Sequence, residues 1–342
     1  MARIALDAMG GDFAPAATIA GALLALAEID ASHQIQLVGI PGIVRQALDE
    51  ALAGASADFA HHVDRLELIE ASDVIDMSEK PSAVLRGKAN SSMHVGLRLQ
   101  VEGRSDAFVS AGNTGAQMAI SSLVLRLHPG LSRPAISTVF PTSRQSVVVV
   151  DSGANVDCSP HELVQFARLG AVYAEDILGR SNPVVGLLSI GEEPEKGSAA
   201  VKEAHQLLLQ SGLNFQGNVE GRDLPLGGSD RGPVDVVVCD GFVGNALLKF
   251  YEAVAPLLIN MVAQHAGLSK DQLAGAFTHL DYSEQGGAPL LGVKGVSIIS
   301  HGKSNPRAIK NAIKVALRAV ESRMNEHIGR RLSGNETAGT AT

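Results

Sequence analysis

Apolar positions along the chain fall into two alternating patterns. Short β-branched runs recur at Arg3–Asp7, Ile35–Val38, Leu66–Ile69, Ala107–Ser110, Ala135–Phe140, Ser146–Val150, Val184–Ser189, Val234–Cys239 and Val296–Ser300. Most are apolar throughout rather than every second residue, which is the signature of interior strands covered on both faces. Between them lie segments with helical spacing. After Pro306, the residues Ile309, Ile313, Ala316, Leu317, Val320 and Met324 share one face, with Asn305 placed to cap the helix. After His161, Leu163, Phe166, Ala167, Gly170, Ala171, Ala174 and Leu178 form a similar stripe, with Ser159 or Asp157 as its cap. Alternation of strand and helix predicts an α/β fold that is doubly wound, with a mostly parallel sheet and helices on both faces. The runs Ile136–Phe140 and Val147–Val150 flank Pro141-Thr142-Ser143-Arg144, which predicts a hairpin and a mixed sheet. Residues 1–332 are expected to form one large α/β domain, single or two-lobed. Residues 333–342 form a polar tail expected to be disordered.

Composition narrows this picture. The 342 residues include no Trp and only 4% aromatics, so the core is expected to be Val, Ile, Leu and Ala. The net charge of −8 argues against nucleic acid as a partner. Cys158 and Cys239 have no metal-ligand spacing and read as reduced, partly buried thiols. A strand beginning at Arg3 predicts no leader peptide. The longest apolar run, Ala253–Ala263, is interrupted by Pro256 and Asn260 and falls short of the roughly 18 residues of a membrane span. A cytoplasmic location is the expectation.

Candidate chemistry sits where strands end. Five runs are followed by Gly-containing loops: Asp7–Asp12, Ser110–Gly115, Asp151–Asn155, Ile190–Glu193 and Asp240–Asn245. Glycine admits a ligand close to the backbone, and the helix that follows offers unpaired N–H groups to an anion. In an open parallel sheet the ligand crevice lies at these carboxyl ends. The anion-binding candidates are Asp7, Gly10, Gly11, Gly112, Thr114, Gly115, Asp151, Gly153, Asn155, Lys196, Gly241 and Gly244. Lys88, Lys249 and His301 add cationic or titratable neighbours. No P-loop, spaced dinucleotide fingerprint, zinc-spaced His pair or nucleophile elbow is present. The chain is therefore expected to use no metal, no cofactor and no covalent serine.

IALDAMGGDFAP (Ile4–Pro15), AFVSAGNTGA (Ala107–Ala116), VDSGANVDC (Val150–Cys158), IGEEPEKG (Ile190–Gly197), NVEGRDL (Asn218–Leu224), VVVCDGFVGNALLK (Val236–Lys249) and GGAPLLGVKG (Gly286–Gly295) are similar to the motifs of the phosphate acyltransferase (PlsX) family. The matches run in order from Ile4 to about residue 320. Ser189 and Lys303 depart from the residues usual in that family. The resemblance implies transfer of a fatty acyl group from acyl carrier protein to inorganic phosphate, giving acyl phosphate for phospholipid synthesis. It also implies a homodimer, a phosphotransacetylase-like and isocitrate dehydrogenase-like α/β/α fold, and a downstream glycerol-3-phosphate acyltransferase. Peripheral membrane contact near Ala255–Leu273 is a further implication.

On that reading Gly112, Asn113, Thr114 and Lys88 hold phosphate, and the Gly241–Asn245 amides with Asn245 stabilise the oxyanion. Lys88, Asn113, Asp240, Asn245 and His301 are the catalytic candidates. Asp7, Asp151 and Asp240 either orient lysines, protonate the leaving thiolate, or stabilise turns. Arg307, Lys310, Lys314 and Arg318, along one side of the last long helix, are candidates for docking the acidic carrier protein. Arg86, Lys88 and Arg98 make a second patch. Competing readings are an acyl-CoA phosphotransacetylase, a decarboxylating dehydrogenase of the same fold, or a non-catalytic scaffold for lipid enzymes.

Overall fold

The structure, a computed structural model, describes residues 1–53, 62–266 and 286–333. The chain divides into two compact units, Met1–His128 with Ser283–Asn325, and Pro129–Tyr282 with Glu326–Thr342.

The first unit contains β1 (Arg3–Asp7), α1 (Ala16–Glu28), β2 (Gln34–Gly39), α2 (Pro41–Ala53), β3 (Leu66–Glu70), α3 (Pro81–Gly87), α4 (Ser92–Val101), β4 (Ala107–Ser110) and α5 (Thr114–Val124). The second supplies β5 (Ala135–Phe140), β6 (Val147–Val150), α6 (Pro160–Asp176), β7 (Val185–Leu188), α7 (Ala199–Leu209), β8 (Phe215–Val219), α8 (Asp223–Leu226), β9 (Gly228–Ser229), β10 (Gly232–Pro233), β11 (Val236–Val238) and α9 (Gly241–Ala266). The chain then returns to the first unit for β12 (Ala288–Leu291), β13 (Ser297–Ile299) and α10 (Pro306–Glu321), and closes in the second with α11 (Met324–Leu332).

In the first unit the strand order is β3-β2-β1-β4-β13-β12. All neighbours are parallel except β12, which runs antiparallel to β13. Residues Ile4 to Asp7 of β1 and all of β4 are buried, as interior parallel strands require. Helix α10 lays its apolar stripe against α1, where Gly21 permits the approach: a Cβ there would meet the Ile309 Cβ at 2.5 Å. The predicted cap is formed, with the Asn305 side chain accepting from the Ala308 N–H.

In the second unit the order is β5-β6-β11-β7-β8. The predicted hairpin is present as the antiparallel pair β5–β6, from Ser137 opposite Val150 to Phe140 opposite Val147. The other neighbours are parallel. Side-chain alternation gives each face its own packing partner. Val150 and Val236 meet α6 at Gly170. Val147, Val149, Val237 and Cys239 form an apolar cluster with Val243, Leu247, Leu248 and Tyr251 of α9. Ser159 caps α6 in a reciprocal box with Glu162.

All nine expected strands exist. Among the described residues four more were not anticipated: β8, β9, β10 and β12. The β8 sequence FQGNV is an edge strand with polar positions, and β12 carries Pro289, so neither shows an uninterrupted apolar run.

One expectation about length is corrected. Pro256 and Asn260 do not break α9, and among the described residues Gly241–His265 is one helix long and apolar enough to cross a membrane. It also carries Lys249 and Glu252, which form an ion pair at 2.7 Å. Residues 267–273 of the expected membrane contact, and 334–342 of the expected tail, lie outside the described residues.

Candidate functional site

Each unit gathers its Gly-bearing loops at the carboxyl ends of its strands, around one buried aspartate. In the first unit this is Asp7, the last residue of β1, only 1% exposed. Its Oδ2 accepts from the Ser110 hydroxyl at 2.7 Å and its Oδ1 from the Met9 N–H at 3.1 Å. Burial raises its pKa above the usual 3.8, opposed by hydrogen bonds from Ser92, Ser110 and the Met9 and Gly10 backbone. Ser110 Oγ in turn accepts from the Gly112 N–H at 3.0 Å, linking the loop after β1 to the loop after β4. Gly10 is pressed between them, since a Cβ there would lie 2.6 Å from Asp7 Oδ2 and 2.8 Å from Ser110 Oγ. Gly11 (φ +107°) brings the first loop to the one after β13, and the Asp12 N–H donates to the Gly302 carbonyl at 2.7 Å.

Asn113 caps α5, its Oδ1 accepting from the Ala116 N–H at 3.0 Å. Its Nδ2 donates to the carbonyls of Met77 and Glu79 at 3.0 and 2.9 Å and more weakly to that of Asp76. Both ends of this amide are thus engaged within the protein. Thr114 beside it is exposed. The Lys88 ammonium donates to the Val74 carbonyl at 2.6 Å and pairs with Glu79, whose pKa this hydrogen bond lowers. His301 is exposed, and its Nδ1 accepts from the Lys303 N–H at 3.1 Å.

In the second unit the buried carboxylate is Asp151, after β6. Oδ1 accepts from the N–H groups of Ile136, Gly153 and Ala154, at 3.0, 3.2 and 3.0 Å. Oδ2 accepts from the Asn155 N–H and the Asn155 side-chain amide, at 2.6 and 2.9 Å. Burial raises this pKa too, against the opposing Ala154 and Asn155 bonds. The start of α9 nests on this loop. The Gly241 N–H donates to the Asn155 carbonyl at 2.7 Å. A Cβ at Gly241 would meet Asp151 Oδ2 at 2.7 Å, and one at Gly244 would overlap the Asp151 carbonyl. Asp240 caps α9, accepting from the Val243 N–H at 2.8 Å. Asn245 is exposed and its side chain makes no hydrogen bond among the described residues; Gly153 faces it. Lys196 is exposed on the loop after β7, with its carbonyl accepting from Ser189 Oγ. Cys158 lies beside the Gly241 N–H, and burial pushes its thiol up to about 12, so it is a poor nucleophile.

Of the residues singled out in the sequence, the structure places Asp7, Gly10, Gly11, Gly112, Asn113, Thr114, Gly115, Lys88 and His301 in one unit. Asp151, Gly153, Asn155, Asp240, Gly241, Gly244, Asn245 and Lys196 lie in the other. Ser110 and Ser92, which hold Asp7, were not singled out. The one available signal was that Ser110 opens a Gly-rich loop. Lys249 lies well along α9, paired with Glu252. On α10 the basic stripe is partly neutralised: Lys310 and Lys314 both bind Glu28, at 2.7 and 2.9 Å. No group of three or more His, Cys, Asp or Glu is placed to hold a metal among the described residues.

A family model described as "Fatty acid synthesis protein" matches residues 2–327. A curated phosphate acyltransferase of Heliobacterium modesticaldum is 46% identical over 340 residues, covering 95% of this chain and 97% of its own. One from Desulforamulus reducens is 47% identical, covering 94% of each. The chain belongs to the phosphate acyltransferase family. As a member it is an acyltransferase. Solved structures share its fold at low identity. A phosphotransacetylase from Streptococcus pyogenes matches with a TM-score of 0.60 at 19% identity, over 94% of each chain. A branched-chain phosphotransacylase from Enterococcus faecalis matches with 0.59 at 15%, over 94% of this chain and 99% of its own. These show the same α/β fold as the phosphotransacetylases.

Proposed function

We propose that the enzyme transfers a fatty acyl group from the thioester of acyl carrier protein to inorganic phosphate, releasing the carrier thiol and acyl phosphate. The carrying observation is membership of the phosphate acyltransferase family, joined to Gly-rich loops anchored by buried aspartates at strand carboxyl ends. Phosphate is already a competent nucleophile: an oxygen adds to the thioester carbonyl, the C–S bond breaks, and the thiolate takes a proton. The protein then needs to position the dianion and exclude water.

The start of α5 suits the dianion. Its cap, Asn113, is neutral, so the positive end of the helix stays uncompensated, and Thr114 offers an exposed hydroxyl. Lys88 and His301 lie on neighbouring loops. Asn113 then acts by fixing loop 76–80 against α5, and Asp7 and Asp151 act as internal acceptors. The Asn245 amide is a candidate donor to the thioester oxygen.

Acidic carrier protein docks on α10 in this reading. Lys310 and Lys314 share Glu28, Arg307 and Arg318 are exposed on the same helix, and reversing both arginines should raise KM for acyl carrier protein. Phe250, Leu257, Leu258, Met261 and Val262 are exposed on α9, a surface suited to a second copy in a homodimer or to a membrane. A cytoplasmic enzyme held at the membrane would pass acyl phosphate to a glycerol-3-phosphate acyltransferase.

The test is mass-spectrometric detection of acyl phosphate from purified enzyme with phosphate and either acyl carrier protein or coenzyme A thioesters. Acyl phosphate formed preferentially from the carrier protein is expected. Equal or better use of coenzyme A would remove the carrier as donor. No acyl phosphate from either would overturn the reaction.

A further inference from the structure

Three large apolar side chains stand in solvent at the carboxyl ends of adjacent strands of the second unit. Val156 is 66% exposed, Phe242 67% and Ile190 82%. They follow β6, β11 and β7, and β11 lies between the other two, parallel to both. The segments leaving these strands therefore emerge side by side, about 4.8 Å apart per strand. The Gly241 N–H bond to the Asn155 carbonyl ties two of them together, and Val156 and Phe242 are the next residues on either side of it. Leu187 stands opposite Val238 in the ladder; Ile190 and Gly241 each come three residues later. Ile190 lies in a candidate loop, Val156 directly follows one, and Phe242, in the first turn of α9, precedes the apolar side chains exposed at 250–262 of that helix.

The rim carries charges of both signs, with Lys196 exposed on the loop after β7. Asp240 caps α9 beside Phe242. Glu193 and Glu195 are exposed just beyond Ile190, and neither pairs with a cation among the described residues. An uncharged alkyl chain would cover the apolar surface and leave the charged groups in water. The acyl donor brings one apolar part, and the exposed Asn245 amide lies one helical turn from Phe242.

We propose that Val156, Ile190 and Phe242 form the subsite for the alkyl chain of the acyl donor and set the preference for long chains. This rests on the acyl-transfer reading above. Each methylene covered adds to affinity, so truncating the subsite should penalise long donors more than short ones.

The experiment compares Phe242→Ser, Ile190→Ser and the double variant with wild type, using palmitoyl and butyryl thioesters of acyl carrier protein. Binding of a non-reactive palmityl thioether of the carrier is measured alongside by calorimetry. The palmitoyl-to-butyryl ratio of kcat/KM should fall about ten-fold in the single variants and further in the double, with Phe242→Leu restoring most of it. Thioether affinity should fall in parallel. An unchanged ratio with intact turnover overturns the subsite and leaves the acyl-transfer reading standing. No turnover of any thioester by wild type, with thioether binding still weakened by the substitutions, sinks the reaction and keeps the subsite. Unweakened thioether binding removes the subsite in either case.

Discussion

Asp7 and Asp151 occupy equivalent places, each buried at the carboxyl end of a strand beneath glycine loops, yet they are held by different chemistry. Asp7 is met largely by hydroxyls, from Ser110 and Ser92, plus the backbone at Met9 and Gly10. Asp151 is met by amide donors alone, from Ile136, Gly153, Ala154 and both nitrogens of Asn155. A hydroxyl rotates and either donates or accepts; an N–H only donates. The first nest is therefore adaptable and the second rigid. On the proposed function, that difference suits the first loop set to a small ion, while the second backs the start of a long helix.

Adding one carbon separates the nests most strongly. At Gly244 a Cβ would overlap the Asp151 carbonyl, and neither backbone can move without pulling α9 off its loop. Gly244→Ala should cost about 3 kcal/mol, the upper end of overpacking, and abolish acyl phosphate formation. At Gly10 the obstacles include the Asp7 and Ser110 side chains, although the Gly112 nitrogen also lies 2.9 Å away. Gly10→Ala should cost about 1–2 kcal/mol less than Gly244→Ala, because rotating Ser110 relieves part of the clash. Urea unfolding of both variants measures the gap, and equal losses would erase the distinction between adaptable and rigid nests.

Much of this frame could be read before the structure, and the reason is local. An aspartate directly after a β-branched run, followed by glycine and then helical spacing, occupies consecutive residues. Asp7, Asp151 and Asp240 were found that way. What holds each aspartate is not local: Ser110 lies 103 positions from Asp7. Likewise, the α10 stripe looked uniformly basic because Glu28, which binds Lys310, lies 282 positions away. Lys88 looked available for phosphate because nothing in its spacing announces Glu79 and the Val74 carbonyl. The amphipathic period finds elements; pairings between distant side chains depend on tertiary packing.

Swapping oxygen for an amide sharpens the comparison at intermediate scale. In Asp151→Asn the new NH2 must face at least one N–H, whichever way it turns, because both oxygens accept from amide donors. A loss of about 2–3 kcal/mol is expected. In Asp7→Asn the amide turns toward Ser110, whose hydroxyl reorients to accept, and a loss of about 1 kcal/mol is expected. Denaturant midpoints report both. A larger loss at Asp7 than at Asp151 would refute the assignment of rotatable and fixed partners.

The helix caps test the same contrast through substrate. Asn113→Asp puts a negative charge at the start of α5, and Asn113→Ala removes the same donors to loop 76–80 without adding charge. If α5 receives phosphate, KM for phosphate should be about five-fold higher in Asn113→Asp than in Asn113→Ala, from roughly 1 kcal/mol of charge at a helix end. Equal constants would move the phosphate away from α5.

The smallest effect is the pH dependence of stability. Burial raises both carboxyl pKa values above the usual 3.8. A group whose folded pKa exceeds its unfolded value favours the folded state most below the unfolded pKa, and that contribution is lost as pH rises through the folded value. Each aspartate should therefore lower stability progressively as pH rises from about 4, with the loss complete once the folded group is ionised. Asp7→Asn removes one titration and should flatten the slope of the urea midpoint against pH over that window. Amide donors favour only the ionised form and so oppose the burial shift at Asp151, whereas hydroxyls that can reorient serve either form, so the flattening at Asp7 should be deeper than at Asp151. A steeper slope in Asp7→Asn than in wild type would mean that its carboxyl is ionised more easily in the folded protein than in the unfolded chain, and the hydroxyl nest would then have to be stronger than its burial.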